Sequence, residues 1–173
     1  MSVLVVRRVL AASLLALSML AGPPAAADPV TDSCLWRKPV LDVYHAGVDP
    51  TWRVRRAMRI WNEVHQGQPR LRTVTSKAAA DVVVSPYRAD ATDINGWTLN
   101  YCDRDHITRS TVRLNVARPL SDGFRAKVTV HEFGHVLSLR HRSYRPRATV
   151  MDAYLRGSAY PTLLDRLTLG SIY

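Results

Sequence analysis

His131, Glu132, His135 and His141 lie close together in the stretch VTVHEFGHVLSLRH, residues 128–141. A step of four residues is slightly more than one helical turn, so on a helix His131 and His135 project from the same face, one above the other. Two imidazoles so placed are half of a metal site, because zinc takes neutral ring nitrogens about 2.0–2.1 Å from a common point. A third ligand must approach from a different direction. The helix is therefore expected to stop near Leu137 and the chain to turn back, bringing His141 to the same point. Glu132 can reach a water on the metal without ligating the metal, which is how this pattern places a general base. A lone His-Glu-x-x-His arises by accident in roughly 0.5% of chains this size, and the further histidine cuts that about fifty-fold. His45, His65 and His106 have no such company and read as ordinary residues.

The turn after the helix falls on Ser138. Abrupt helix ends often use a left-handed residue, usually glycine. Serine there costs roughly 1 kcal/mol, which a metal-bound fold can absorb.

The surrounding segments must form the frame for these residues. PVLDVYHA (39–46) alternates and is rich in branched and aromatic residues, which predicts a strand. DPTWRVRRAMRIWNEVHQ (49–66) predicts a helix, with Asp49 as N-cap, Pro50 at its first position and Gly67 past its end. LRTVTS (71–76), ADVVVSPY (80–87), NGWTLNYC (95–102) and STVRLNV (110–116) predict four more strands. The second of these is nearly continuous in apolar residues and so is expected to be central. Ser121 or Asp122 is placed to cap the histidine-bearing helix, about Phe124–Leu139, and YPTLLDRLTLGSIY (160–173) predicts a short helix opened by Pro161. This order is that of an α+β fold, a sheet with helices packed on it.

Residues 1–27 read as a signal peptide: Arg7 and Arg8 begin it, Val9–Ala21 is a short apolar run, and Ala25-Ala26-Ala27 precedes Asp28. Residues 28–173 then form one domain, with no membrane-spanning segment and an extracellular location expected. The formal charge is +10, and +8 once Arg7 and Arg8 leave with the leader. Arginines are spread from 37 to 166 without a basic run of five, which argues against nucleic acid as a partner. A solvated basic surface is favoured, with at most weak attraction to anionic cell-wall polymers. Cys34 and Cys102 are the two cysteines. They either pair, closing a loop worth up to roughly 4 kcal/mol in an oxidising compartment, or remain free thiols.

HEFGHVLSLRH resembles the zinc signature of the metzincin clan of metallopeptidases, His-Glu-x-x-His-x-x-Gly-x-x-His, with Ser138 in the glycine position. ATVMDAY supplies Met151 ten residues after His141, where the clan has a methionine turn beneath the metal; by itself Met151 also reads as a core methionine. IWNEV, AADVVV, STVRLN and LLDRLTLGSIY follow the order of small matrixin-like and snapalysin-like secreted peptidases over about residues 38–173. Snapalysins carry aspartate where His141 stands, so the three-histidine set points to the matrixin side.

The resemblance implies a twisted mixed sheet of about five strands, with an early helix and a zinc-site helix packed on it and a short C-terminal helix. It implies one catalytic zinc on His131, His135 and His141, Glu132 as general base, and a monomer acting on protein or peptide substrates. The substrate would lie extended along an edge strand, for which NGWTLNYC is the candidate; Trp97 and Tyr101 either line that cleft or belong to the core. Tyr144 and Tyr154 flank the methionine, but Met-x-x-Tyr is not the Met-x-Tyr of clan members that bring a tyrosine to the metal, so neither is assigned a role. Arg140, Arg142, Arg145, Arg147 and Arg156 either point into the specificity pocket or form a solvated basic loop. The family often carries structural calcium, and no acidic loop here singles itself out for it. The competing expectation is a secreted metal-binding or surface-adhering module that keeps a degenerate peptidase site.

Overall fold

A computed structural model describes residues 34–49, 51–142 and 149–173. The leader assigned to residues 1–27, Pro50, Tyr144, Arg145 and Arg147 lie outside the described residues.

Five strands form one mixed sheet: β1 (Val40–Tyr44), β2 (Arg70–Thr73), β3 (Val82–Tyr87), β4 (Gly96–Asp103) and β5 (His106–Asn115), in the spatial order β2-β1-β3-β5-β4. The first four in that order run parallel, and β4 pairs antiparallel with β5 at the sheet edge. β3 is central, as its apolar run requires, with Val82, Val83 and Val84 all buried. Helix α1 (Val54–Val64) packs on β2 and on helix α2 (Asp122–Val136), which itself lies against β4 and β5; α3 (Leu163–Ile172) closes the described chain. The fold is thus α+β, as expected. Leu41, Val43, Val82, Val84, Val112 and Leu114 from the sheet meet Val54, Trp61, Val128 and Phe133 from the helices in one core.

Helix starts differ from expectation in two places. Asp49 is not the N-cap of α1. That position belongs to Arg53, in a left-handed conformation (φ 55°), while Asp49 Oδ1 makes only a 3.5 Å approach to the Arg55 N–H. Trp52 is buried ahead of the helix rather than on its first turn. At α3, Pro161 precedes the cap. Thr162 is the N-cap, and with Asp165 it forms a reciprocal capping box. The α2 cap is Ser121, whose hydroxyl accepts from the Phe124 N–H at 3.3 Å.

Cys34 and Cys102 form a disulfide, with Cα atoms 6.2 Å apart. It joins the segment before β1 to β4 at a register shift between Tyr101 and Cys102. Among the described residues, no helix is long and apolar enough to cross a membrane.

Candidate metal centre

His131 and His135 sit on the last turns of α2, and the helix ends as their geometry requires. Leu137 is the C-cap and Ser138 follows in the left-handed region at φ 66°. The Leu139 N–H donates to Gly134 O at 3.0 Å and the Ser138 N–H to His135 O at 2.9 Å. This pair of bonds is a Schellman ending with serine in the glycine position. Ser138 is fully buried, and its hydroxyl donates to Cys34 O at 3.1 Å. The departure from glycine thus comes with a hydrogen bond that glycine could not make.

The reversal brings His141 to the other two rings. Nε2 of His131 lies 3.0 Å from Nε2 of His141 and 3.2 Å from that of His135, and the His135–His141 separation is 3.1 Å. Ligands about 2.0–2.1 Å from zinc in a tetrahedron stand roughly 3.3–3.4 Å apart, so these spacings fit one ion. Tautomers give a stronger test. His131 Nδ1 meets Val150 O at 2.8 Å and His135 Nδ1 meets Leu139 O at 2.7 Å. A carbonyl can only accept, so both Nδ1 atoms carry the proton, and in the neutral rings both Nε2 atoms present lone pairs to each other. A shared cation resolves that opposition. Burial, reinforced by His135, lowers His131 to a pKa of about 3, which keeps its ring neutral. Among the described residues, these three form the group of histidine, cysteine or acidic side chains close enough to hold one ion.

Glu132 is buried, and burial pushes its carboxyl up to about 7, with the Thr98 hydroxyl pulling the other way. That hydroxyl stands 2.7 Å from Glu132 Oε2 and 3.1 Å from the Glu132 backbone carbonyl. Two residues back on the same face of β4, Gly96 leaves the carboxylate room: a Cβ there would come within 3.1 Å of Glu132 Oε1. Asn100 Nδ2 donates to His135 O at 2.8 Å. Residues 96, 98 and 100 thus face α2. Trp97, Leu99 and Tyr101 face away and are 40, 45 and 47% exposed. Neither expected aromatic is in the core. Trp97 lines the cavity beside the histidines, whereas Tyr101 is simply exposed.

This cavity, of about 520 Å³, is lined by β4, the histidines, Glu132 and Val128 of α2, and by Ala153 and Leu155 from the chain beyond Met151. No described arginine lines it. Arg142 is buried against Thr168, and Arg156 bonds Asp152 and lies over the Tyr154 ring, itself exposed. Met151 is buried and packs its sulfur onto the backbone of Gly134, where an added Cβ would collide with it.

Two further groups at the site had no local signal in the sequence. Thr98 and Gly96 flank the Glu132 carboxylate. Asp165 of α3, also buried, accepts from Val150 N at 3.0 Å, from Thr162 N at 2.7 Å and from the Thr149 hydroxyl. Asp165 thereby holds the N–H of the residue whose carbonyl, in the next peptide unit, orients His131. The T-x-x-D spacing of Thr162 and Asp165 is a local sign of a helix cap, and it carries no sign of this burial.

No protein-family profile matches the chain, and no curated protein matches it. Among solved structures, the chain is similar to myroilysin at 19% identity and a TM-score of 0.47, over 65% of this chain and 54% of that one. The chain thus spans about half the length of that structure.

Proposed function

We propose that the chain is a secreted zinc-dependent endopeptidase of the matrixin-like kind, with residues 1–27 as its leader and 28–173 as one catalytic domain. The observation that carries this reading is the convergence of three imidazole Nε2 atoms, 3.0–3.2 Å apart, beside a buried carboxylate that opens on the same cavity. His131, His135 and His141 would hold the ion. Bound there, zinc supplies Lewis acidity, polarising a carbonyl and acidifying a water molecule.

The remaining work falls to the protein. Glu132 takes the proton of the attacking water and returns it to the departing amine. Val150 O and Leu139 O fix the tautomers of the first two ligands. β4, as an antiparallel edge strand above the cavity, is suited to pairing with an extended peptide by main-chain hydrogen bonds. Met151 packs beneath the ligand helix as a structural floor. The disulfide accords with an oxidising compartment.

The test is the metal content of residues 28–173 by mass spectrometry, alongside hydrolysis of a quenched peptide with and without chelator. One zinc per chain and chelator-sensitive cleavage are expected. Glu132→Gln should keep the zinc and lose nearly all turnover; a variant that retains more than a few per cent refutes the base role. Stoichiometric zinc without any cleavage would instead favour a metal-binding module.

A further inference from the structure

We propose that Thr98 is the positioning residue of Glu132, its hydroxyl clamping carboxylate oxygen Oε2 so that Oε1 is presented to the substrate water. The proposal rests on the endopeptidase reading and extends it to a strand residue outside the histidine motif.

The geometry is specific. Thr98 is on β4, paired with Val112 of β5, and its side chain points at α2. Its Oγ is 2.7 Å from Glu132 Oε2. The other oxygen, Oε1, lies on the Gly96 side, where β4 has no side chain to cover it. One oxygen is held, and the other lies beside Gly96, which lines the same cavity as Glu132. A buried glutamate with three rotatable bonds would otherwise have several orientations open to it, and an orientation off the reacting line wastes the base.

The same hydroxyl suits both states the base must visit. It has one proton and two lone pairs, and it lies between two acceptors, Oε2 and the Glu132 carbonyl at 3.1 Å. While the carboxylate is ionised, the hydroxyl proton points to Oε2. Once Oε1 has taken the proton from water, Oε2 is the carbonyl oxygen of a neutral carboxyl and still accepts from the same hydroxyl, so the clamp holds in both states. No heavy atom moves and Thr98 gains no net proton. A threonine serving only to fasten β4 to α2 would need the carbonyl bond alone.

The test compares Thr98→Val, nearly isosteric but without the hydroxyl, with Thr98→Ser, which retains it. In the zinc-loaded proteins, Thr98→Val should lose about 10- to 100-fold in kcat, the range typical of supporting residues at metal sites, with KM within about twofold and zinc content unchanged. Thr98→Ser should recover most of the loss. If Thr98→Val does not fold, Thr98→Ala carries the same expectation. A crystal structure of the folded hydroxyl-free variant should show the carboxylate turned from its wild-type orientation. Kcat above half of wild type, or an unmoved carboxylate, overturns the proposal and leaves the endopeptidase reading intact. Zinc-loaded wild type without chelator-sensitive cleavage overturns both.

Discussion

Ser138 shows how one side chain can offset its own backbone cost. At φ 66° a non-glycine residue is strained by roughly 1 kcal/mol, while a buried hydrogen bond of the kind its hydroxyl makes to Cys34 O contributes about the same. The two nearly cancel. Ser138→Gly should therefore change stability by less than about 0.5 kcal/mol, relieving the backbone and losing the bond together. Ser138→Ala loses the same bond but keeps the strain, so it should cost about 1 kcal/mol. Urea unfolding of both variants checks this: equal losses would mean that the backbone strain is not what serine works against. The same reasoning removes Ser138 as a sign of a decayed site.

At the scale of elements, α2 is the part that others hold in place. Trp61 Nε1 of α1 donates to Val130 O at 2.8 Å, Trp36 Nε1 to Val136 O at 2.7 Å, and β4 contributes Thr98 and Asn100. From α3, Asp165 reaches the site indirectly, through Val150 N, whose own carbonyl accepts from His131 Nδ1. Asp165→Ala should cost about 3 kcal/mol, because it leaves several buried donors unpaired, and should weaken zinc affinity about tenfold through the loosened Val150 peptide. Thermal unfolding together with a competitive zinc titration separates these effects; a stability loss with unchanged affinity would make α3 a mere cover. The five strands, the central β3 and the convergence of the three histidines were legible in the sequence because they depend on local periodicity and spacing. The partners of α2 were not. In WTLNY the apolar residues suggest the inward face, yet Thr98 and Asn100 point inward, because α2 there presents carbonyls and a carboxylate that need donors. That preference is set by a helix far away in the chain. Asp49 misled for a similar reason: a good capping residue preceded a turn, and the helix began only after Arg53.

For the whole molecule, two cross-links bear on the elements that form the cleft. One is the proposed ion, joining α2 to the chain beyond Ser138; the other is the Cys34–Cys102 bond, joining the segment before β1 to β4. Zinc at a thousand times its dissociation constant should stabilise the fold by about 4 kcal/mol, which for a chain of this size is a Tm gain of about 8–16 °C. The two links are also mechanically connected. Cys102 lies two residues from Asn100, which bonds His135 O, and four from Thr98, which bonds Glu132. Without the disulfide, β4 loses one of its anchors, its hold on the ligand helix weakens, and part of the binding energy must go into ordering α2. The Cys34→Ser/Cys102→Ser double variant is therefore expected to bind zinc about 3- to 10-fold more weakly than wild type, a coupling of roughly 1 kcal/mol. Calorimetry at matched zinc concentrations should show a smaller Tm gain in the variant. Equal gains in the two proteins would mean that the edge strand and the metal helix are stabilised independently, and that β4 is held over the site by its pairing with β5 alone.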